Sequence, residues 1–177
     1  MVKIGIYNLD NKEITKMKNM LGKSHNKNVE YASNICVDPT KKELPLKIES
    51  ICKGTECQVL LPSECKNGKV LIGDYHTHIT KEGADIPSIL DLKAIVKDAM
   101  SMMCIGSTQK NIINCYTRKT PKEISHAKFL VDLDIRTRRG IKKLADVHKQ
   151  NPDEFQNEHI KVVRDILEKQ FDNTKIQ

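Results

Sequence analysis

The stretch from Asn67 to His78 constrains this chain more than any other. Asn67-Gly68 is a turn pair, and Lys69-Val70-Leu71-Ile72-Gly73 behind it has the length and apolar content of a buried strand. It runs on into Asp74-Tyr75-His76-Thr77-His78. Successive strand side chains leave on opposite faces, so His76 and His78 share one face and Thr77 points away. After a loop holding Gly83 and Pro87, apolar residues at Leu92, Ile95, Val96, Ala99 and Met103 predict a helix from Ser88 to about Met103. Asp91 falls in its first turn, where it can return to the strand end.

Two histidines and a carboxylate form a ligand set that zinc accepts, with the fourth position left to water. An open position suits catalysis, because zinc polarises a carbonyl and lowers the pKa of its water to about 7. The same residues also have a purely structural use. Ser88-Ile89-Leu90-Asp91 reads as a helix capping box, in which Ser88 caps and Asp91 reaches back to its amide. His-x-His also occurs at strand ends without metal. The joint occurrence of strand, His-x-His and Ser-x-x-Asp favours the metal site.

The rest of the chain reads as strands interrupted by one helix, then helices. Val2, Ile4 and Ile6 alternate as a first strand. Asp10-Asn11-Lys12-Glu13 caps a helix with Ile14, Met17 and Leu21 on one stripe, which Gly22 is expected to end before a polar turn from Ser24 to Asn28. A strand follows over Val29–Val37, with Glu30, Ala32, Asn34 and Cys36 on one face. Leu46–Cys52 is a third strand, with a turn at Lys53–Glu56, and Gln58–Leu61 is a short candidate stopped by Pro62. Met102–Ile105 and Ile112–Tyr116 continue the strands, which implies an α+β fold with a mixed sheet flanked by helices.

From Thr120 the pattern turns helical. Thr120-Pro121-Lys122-Glu123 starts a helix carrying Ile124, Ala127, Val131 and Ile135, with Gly140 as a candidate break. Asn151-Pro152-Asp153-Glu154 starts another, with Phe155, Val162, Val163, Ile166 and Leu167 as its apolar face. Such a helical pair packs either on the domain or on a second copy, as a homodimer.

No apolar run of membrane-spanning length occurs, and Met1–Ile4 lacks the apolar core of a signal peptide, so the expectation is a soluble cytoplasmic protein. The net charge of +7 is scattered among lysines and glutamates, which allows phosphate contact with nucleic acid but fits a solvated surface or an acidic protein partner better. Six cysteines include no Cys-x-x-Cys. Cys36, Cys104 and Cys115 lie in apolar runs and are expected as small buried residues. Cys52, Cys57 and Cys65 cluster loosely, as a second metal site or a disulfide, and a cytoplasmic location argues against the disulfide outside hyperthermophiles.

Glu30 on an early strand, His76-Thr77-His78 at a later strand end and Ser88-Ile89-Leu90-Asp91 entering a helix together resemble the JAMM metalloprotease family, or MPN domain. The resemblance covers roughly residues 1–120, leaving 121–177 as a helical C-terminal extension. It implies an MPN fold in which His76, His78 and Asp91 bind one zinc. Glu30 would be the general base, with Glu43, Glu49, Glu56 and Glu64 as competitors, and Ser88 would help stabilise the oxyanion. It further implies hydrolysis of an amide or isopeptide bond in a peptide or a ubiquitin-like conjugate. The chain has little room for the insertions of the eukaryotic deubiquitinating members, so a compact prokaryotic-type peptidase is the closer likeness. Ile79 departs from the family's proline, and the loop to Ser88 is longer than usual.

Asp74-Tyr75-His76-Thr77-His78 also looks like the opening of a PHP-type phosphoesterase, but here it comes late, and only His126, His148 and His159 follow, in predicted helices where a surface position is simplest. The non-enzymatic alternative is a scaffold or nucleic-acid module using Arg136, Arg138 and Arg139.

Overall fold

A computed structural model of the chain describes residues 1–54, 64–79, 83–119 and 124–177. The fold is mixed α+β. It begins with a hairpin of β1 (Val2–Ile4) and β2 (Tyr7–Leu9), followed by α1 (Asn11–Lys27), β3 (Tyr31–Val37), β4 (Leu46–Lys53) and β5 (Val70–His78). Then come α2 (Ile89–Lys97), β6 (Met102–Ser107), β7 (Ile112–Arg118), α3 (His126–Gln150), a 3₁₀ turn (Pro152–Glu154), α4 (Phe155–Gln170) and β8 (Phe171–Ile176). Six strands make one sheet in the order β4-β3-β5-β6-β7-β8. Its neighbours are antiparallel except β5 and β6, which are parallel and joined by the crossover containing α2.

Helices cover both faces of the sheet. On one, Met17, Met20 and Leu21 of α1 pack with Ile35, Tyr75, Met102 and Ile113. On the other, Leu92 and Ile95 of α2, Leu133 of α3 and Val163 of α4 pack with Met103, Ile105 and Tyr116. The α1 helix is tied to β4 by Glu13, whose buried carboxylate accepts Ile48 N–H at 2.9 Å and pairs with Lys16 at 2.8 Å.

Several expectations need correction. The first strand is a hairpin turning at Gly5, which leaves Ile6 exposed. Gly22 does not end α1. The helix runs on to a left-handed Asn28, because Ser24 is fully buried and donates to Val29 O at 2.6 Å, outweighing the ~1 kcal/mol cost of a mid-helix glycine. The helix begun at Ser88 ends at Lys97, since Ala99 is left-handed and Met103 is drawn into β6 opposite Asp74.

On α3 the buried stripe is Phe129, Leu133, Thr137, Gly140 and Leu144, while Ala127, Val131 and Ile135 face solvent. Two stripes share the helical period, and the aromatic one buries more surface. Gly140 is no break: a Cβ there would lie 2.8 Å from Val162 Cγ1 and 3.1 Å from Ile89 Cδ1, so it is where α3 meets α4 and α2. Nor is the C-terminal segment only helical. It ends in β8, which pairs Phe171 with Arg118 and Ile176 with Ile113, and so extends the same sheet.

Among the described residues four cysteines form two disulfides, contrary to the expectation of small buried thiols at Cys36, Cys104 and Cys115. Cys104 and Cys115 face each other across β6 and β7 and are bonded, with Cα atoms 4.0 Å apart, and Cys36 of β3 is bonded to Cys65. Register, which the sequence does not display, set the Cys104–Cys115 pair, while the segment ahead of β5 brings Cys65 to Cys36. The expected strand at Gln58–Leu61, the helix start at Thr120–Glu123, Glu56 and Cys57 lie outside the described residues. Among the described residues no helix is long and apolar enough to cross a membrane.

The parallel pair depends on one close approach. A Cβ on Gly73 would lie 2.2 Å from Met102 O, a backbone atom. Gly73→Ala is therefore expected to destabilise the protein by about 1–3 kcal/mol in urea titrations, and a wild-type midpoint would remove this account of the β5–β6 contact.

Candidate functional site

The alternation of β5 separates two sets of side chains. On the α1 face, Tyr75 and Thr77 are fully buried. Tyr75 Oη donates to Met17 O at 3.0 Å, and Thr77 Oγ1 donates to Ser24 Oγ at 2.8 Å while accepting Tyr31 N–H at 2.8 Å. Asp74, His76 and His78 lie on the other face, toward α2, as the period of two requires.

The β3 register completes that face. Asn34 pairs with Asp74 and Ala32 with His76, and Glu30 precedes Ala32 by two residues, where its carboxylate feels the charges of His76 and Asp91. Glu30 is half-buried just ahead of β3, and its carbonyl accepts Gly54 N–H at 2.7 Å. The Ser88 capping box is formed: Ser88 Oγ accepts Asp91 N–H at 3.1 Å, and Asp91 Oδ2 accepts Ser88 N–H at 2.6 Å and the Ser88 hydroxyl at 2.7 Å. That same oxygen lies 3.5 Å from His76 Nε2 and 3.8 Å from His78 Nε2. His76, His78 and Asp91 each offer one ligand atom, all within 4.8 Å of one another.

Asp74 decides how His76 is presented. Its Oδ2 lies 2.6 Å from His76 Nδ1, which holds a proton there and turns Nε2 toward Asp91 and His78. His76 Nε2 is buried and makes no hydrogen bond among the described residues. An imidazole nitrogen with its partner nitrogen on a carboxylate, left unsatisfied between a second imidazole and a carboxylate, fits a divalent cation.

The electrostatics follow from burial and close pairing. Burial opposes charge on His76, but its hydrogen bond to Asp74 and the charges of Asp74 and Asp91 outweigh it and raise its pKa well above the usual range. His78 is pushed down to about 4 by burial and by the charge of His76. Burial raises Asp91, yet its close pairing with His76 and its bonds from Ser88 bring it below the usual carboxylate range. Glu30 is raised by burial, with the charge of His76 opposing and that of Asp91 adding. Glu30 thus shares one electrostatic environment with His76 and Asp91.

Two contributors escaped the sequence reading. Asp74 was legible, since it lies two residues before His76 on a strand. His159 was not: expected as a helix-surface residue, it accepts Ile89 N–H on Nε2 at 3.1 Å and so satisfies the first turn of α2 from α4. The approach loop is anchored at Asp85, whose carbonyl accepts Asn114 Nδ2 at 2.8 Å and Tyr116 Oη at 3.1 Å. Arg138 pairs with Asp134 at 2.8 Å on α3, away from this face.

No family model matches the sequence, and no curated protein matches it.

His159 gives a pH test of the α4–α2 contact. Burial lowers its pKa, with Asp91 opposing, so the unfolded chain takes up its proton first on acidification. Its contribution is full above about pH 6.5 and is lost as pH falls through the lowered folded value. His159→Gln, which keeps an acceptor but does not titrate, is expected to lose stability less steeply than wild type below that pH in parallel urea titrations. Identical slopes would show that the Ile89 bond does not depend on a neutral His159.

Proposed function

We propose that this chain is a zinc-dependent hydrolase of amide or isopeptide bonds, of the JAMM/MPN kind that its motifs resemble. The observation that carries the reading is the convergence of His76 Nε2, His78 and Asp91 on one point, with Nε2 buried and unsatisfied. The mixed sheet flanked by helices is compatible with such a fold.

In this reading His76, His78 and Asp91 hold the zinc, and Asp74 and Ser88 hold the ligands. Bound zinc would supply Lewis acidity to the scissile carbonyl and to the attacking water. Glu30 takes the proton from that water and returns it to the leaving amine. A carboxylate whose pKa is raised by burial is closer to the range a general base needs near neutral pH. Ser88 spends its hydroxyl proton on Asp91 in this arrangement, so its first role is to aim that ligand, and donation to an oxyanion requires the hydroxyl to turn away. The substrate class is a protein or peptide, including a lysine conjugated to a ubiquitin-like protein. The reading places the enzyme in the cytoplasm of an organism whose cytosolic proteins keep disulfides, as hyperthermophiles do.

Elemental analysis and cleavage of lysine-isopeptide conjugates test the proposal together. Wild-type protein is expected to hold stoichiometric zinc, lost in His76→Ala/His78→Ala. Glu30→Gln is expected to keep the metal while hydrolysis falls by about 10²–10⁴. Full activity in Glu30→Gln would remove the base, and absence of zinc from native protein would remove the reading.

Zinc uptake itself should be pH-dependent. Pairing with Asp74 and Asp91 raises the pKa of His76 and so favours its protonated form, whereas burial disfavours a charged His78. Binding is therefore expected to release about one proton per zinc, read by calorimetry in buffers of different ionisation enthalpy. Asp74→Asn removes the charge that holds that proton. It should reduce the release and weaken zinc by about 10- to 100-fold. Unchanged release in Asp74→Asn would show that the proton is not on His76.

A further inference from the structure

A second group of metal-ligating side chains lies at the opposite end of β3. Cys36, near the end of the strand, is six residues from Glu30 along an extended chain, a span of about 20 Å. Its sulfur is bonded to Cys65, which is half-buried in the segment leading to β5. Glu49 of β4 brings Oε2 to 3.8 Å from Cys36 Sγ, and one ligand atom from each of Cys36, Glu49 and Cys65 falls within 4.8 Å of the others. The carboxylate is held in place: Oε2 accepts Lys66 N–H at 3.0 Å, and Oε1 pairs with Lys69 Nζ at 2.8 Å, with both side chains mostly buried. A disulfide gains little from a neighbouring carboxylate. Two thiolates and a carboxylate, by contrast, are a donor set for zinc, with a fourth position open to water.

The geometry points to a redox-gated zinc site formed by Cys36, Cys65 and Glu49, closed by the disulfide when oxidised and open to metal when reduced. A dithiol reductant supplies the two electrons. The Cys36–Cys65 bond breaks, a disulfide forms in the reductant, and its two protons pass to the cysteine sulfurs. Zinc then displaces both protons. The charge balances in each state: oxidised, Glu49 and Lys69 neutralise each other; reduced, zinc at +2 offsets the two thiolates and leaves that pair as before. Cys65 belongs to a loop while Cys36 and Glu49 are fixed in strands, so the separation of the sulfurs from bonding to ligating distance falls on the loop.

The site stands independently of the proposed hydrolase. The test uses His76→Ala/His78→Ala protein, so that the first site does not contribute, titrated with cobalt(II) and with zinc before and after reduction by a phosphine. The reduced protein is expected to bind one equivalent with thiolate-to-cobalt charge-transfer absorption, and the oxidised protein none. Cys65→Ser should abolish the absorption. Glu49→Gln, which leaves both cysteines in place, should weaken binding by about tenfold or more. Four results would each overturn the assignment: equal uptake in both redox states, uptake indifferent to Cys65→Ser, no uptake by reduced protein that is still folded by circular dichroism, or unfolding on reduction that zinc does not reverse.

Discussion

A strand covered on both faces must serve two environments with one alternation, and β5 is that strand. Tyr75 and Thr77 satisfy their hydroxyls against α1 and the start of β3, deep in one core. Those bonds fix the strand's rotation and its end. With Thr77 locked inward, His76 and His78 have no choice of face. A slip of one residue would bury both imidazoles under α1 and expose the two hydroxyls, which is why the register is strongly specified.

The candidate site inherits its order from that strand. Half-buried ionisable groups are expensive unless paired, and here two pairings carry the arrangement. Asp74 holds His76, and Ser88 holds Asp91. The capping box and the candidate ligand position, alternatives when read from sequence, are met by one geometry. The bonds that tie Asp91 Oδ2 to Ser88 also aim it at the two histidines. Glu30 joins this group because β3 runs antiparallel to β5, with Ala32 paired to His76 just beyond it. Its sequence position alone did not separate it from other glutamates.

The segment after residue 120 shows where local pattern loses to packing. Ala127, Val131 and Ile135 have the correct period, but so do Phe129 and Leu133, and only contact with α2 and the sheet selected between them. Gly140 looks like a breaker in isolation and is a contact surface in the fold. The two helices also bring His159 to the first turn of α2, so that the presentation of Asp91 depends on a residue about seventy positions away. Cysteine pairing has the same character. Cys104 and Cys115 stand opposite each other because β6 and β7 are adjacent, a relation their spacing does not encode.

The sequence by itself determined the α+β class, the β5 strand, the shared face of His76 and His78, and the capping box that carries Asp91. Each is a local periodicity or a contact within one turn, which the chain expresses without help. Tertiary structure decided the rest: the partner strand that delivers Glu30, the Nε2 of His76 left unsatisfied beside Asp91, the support from His159, the face α3 buries, and both disulfides. These depend on register and on which helix covers which face of the sheet. Both are settled by the sum of buried surface and satisfied polar groups over the whole chain, which no short stretch of sequence contains.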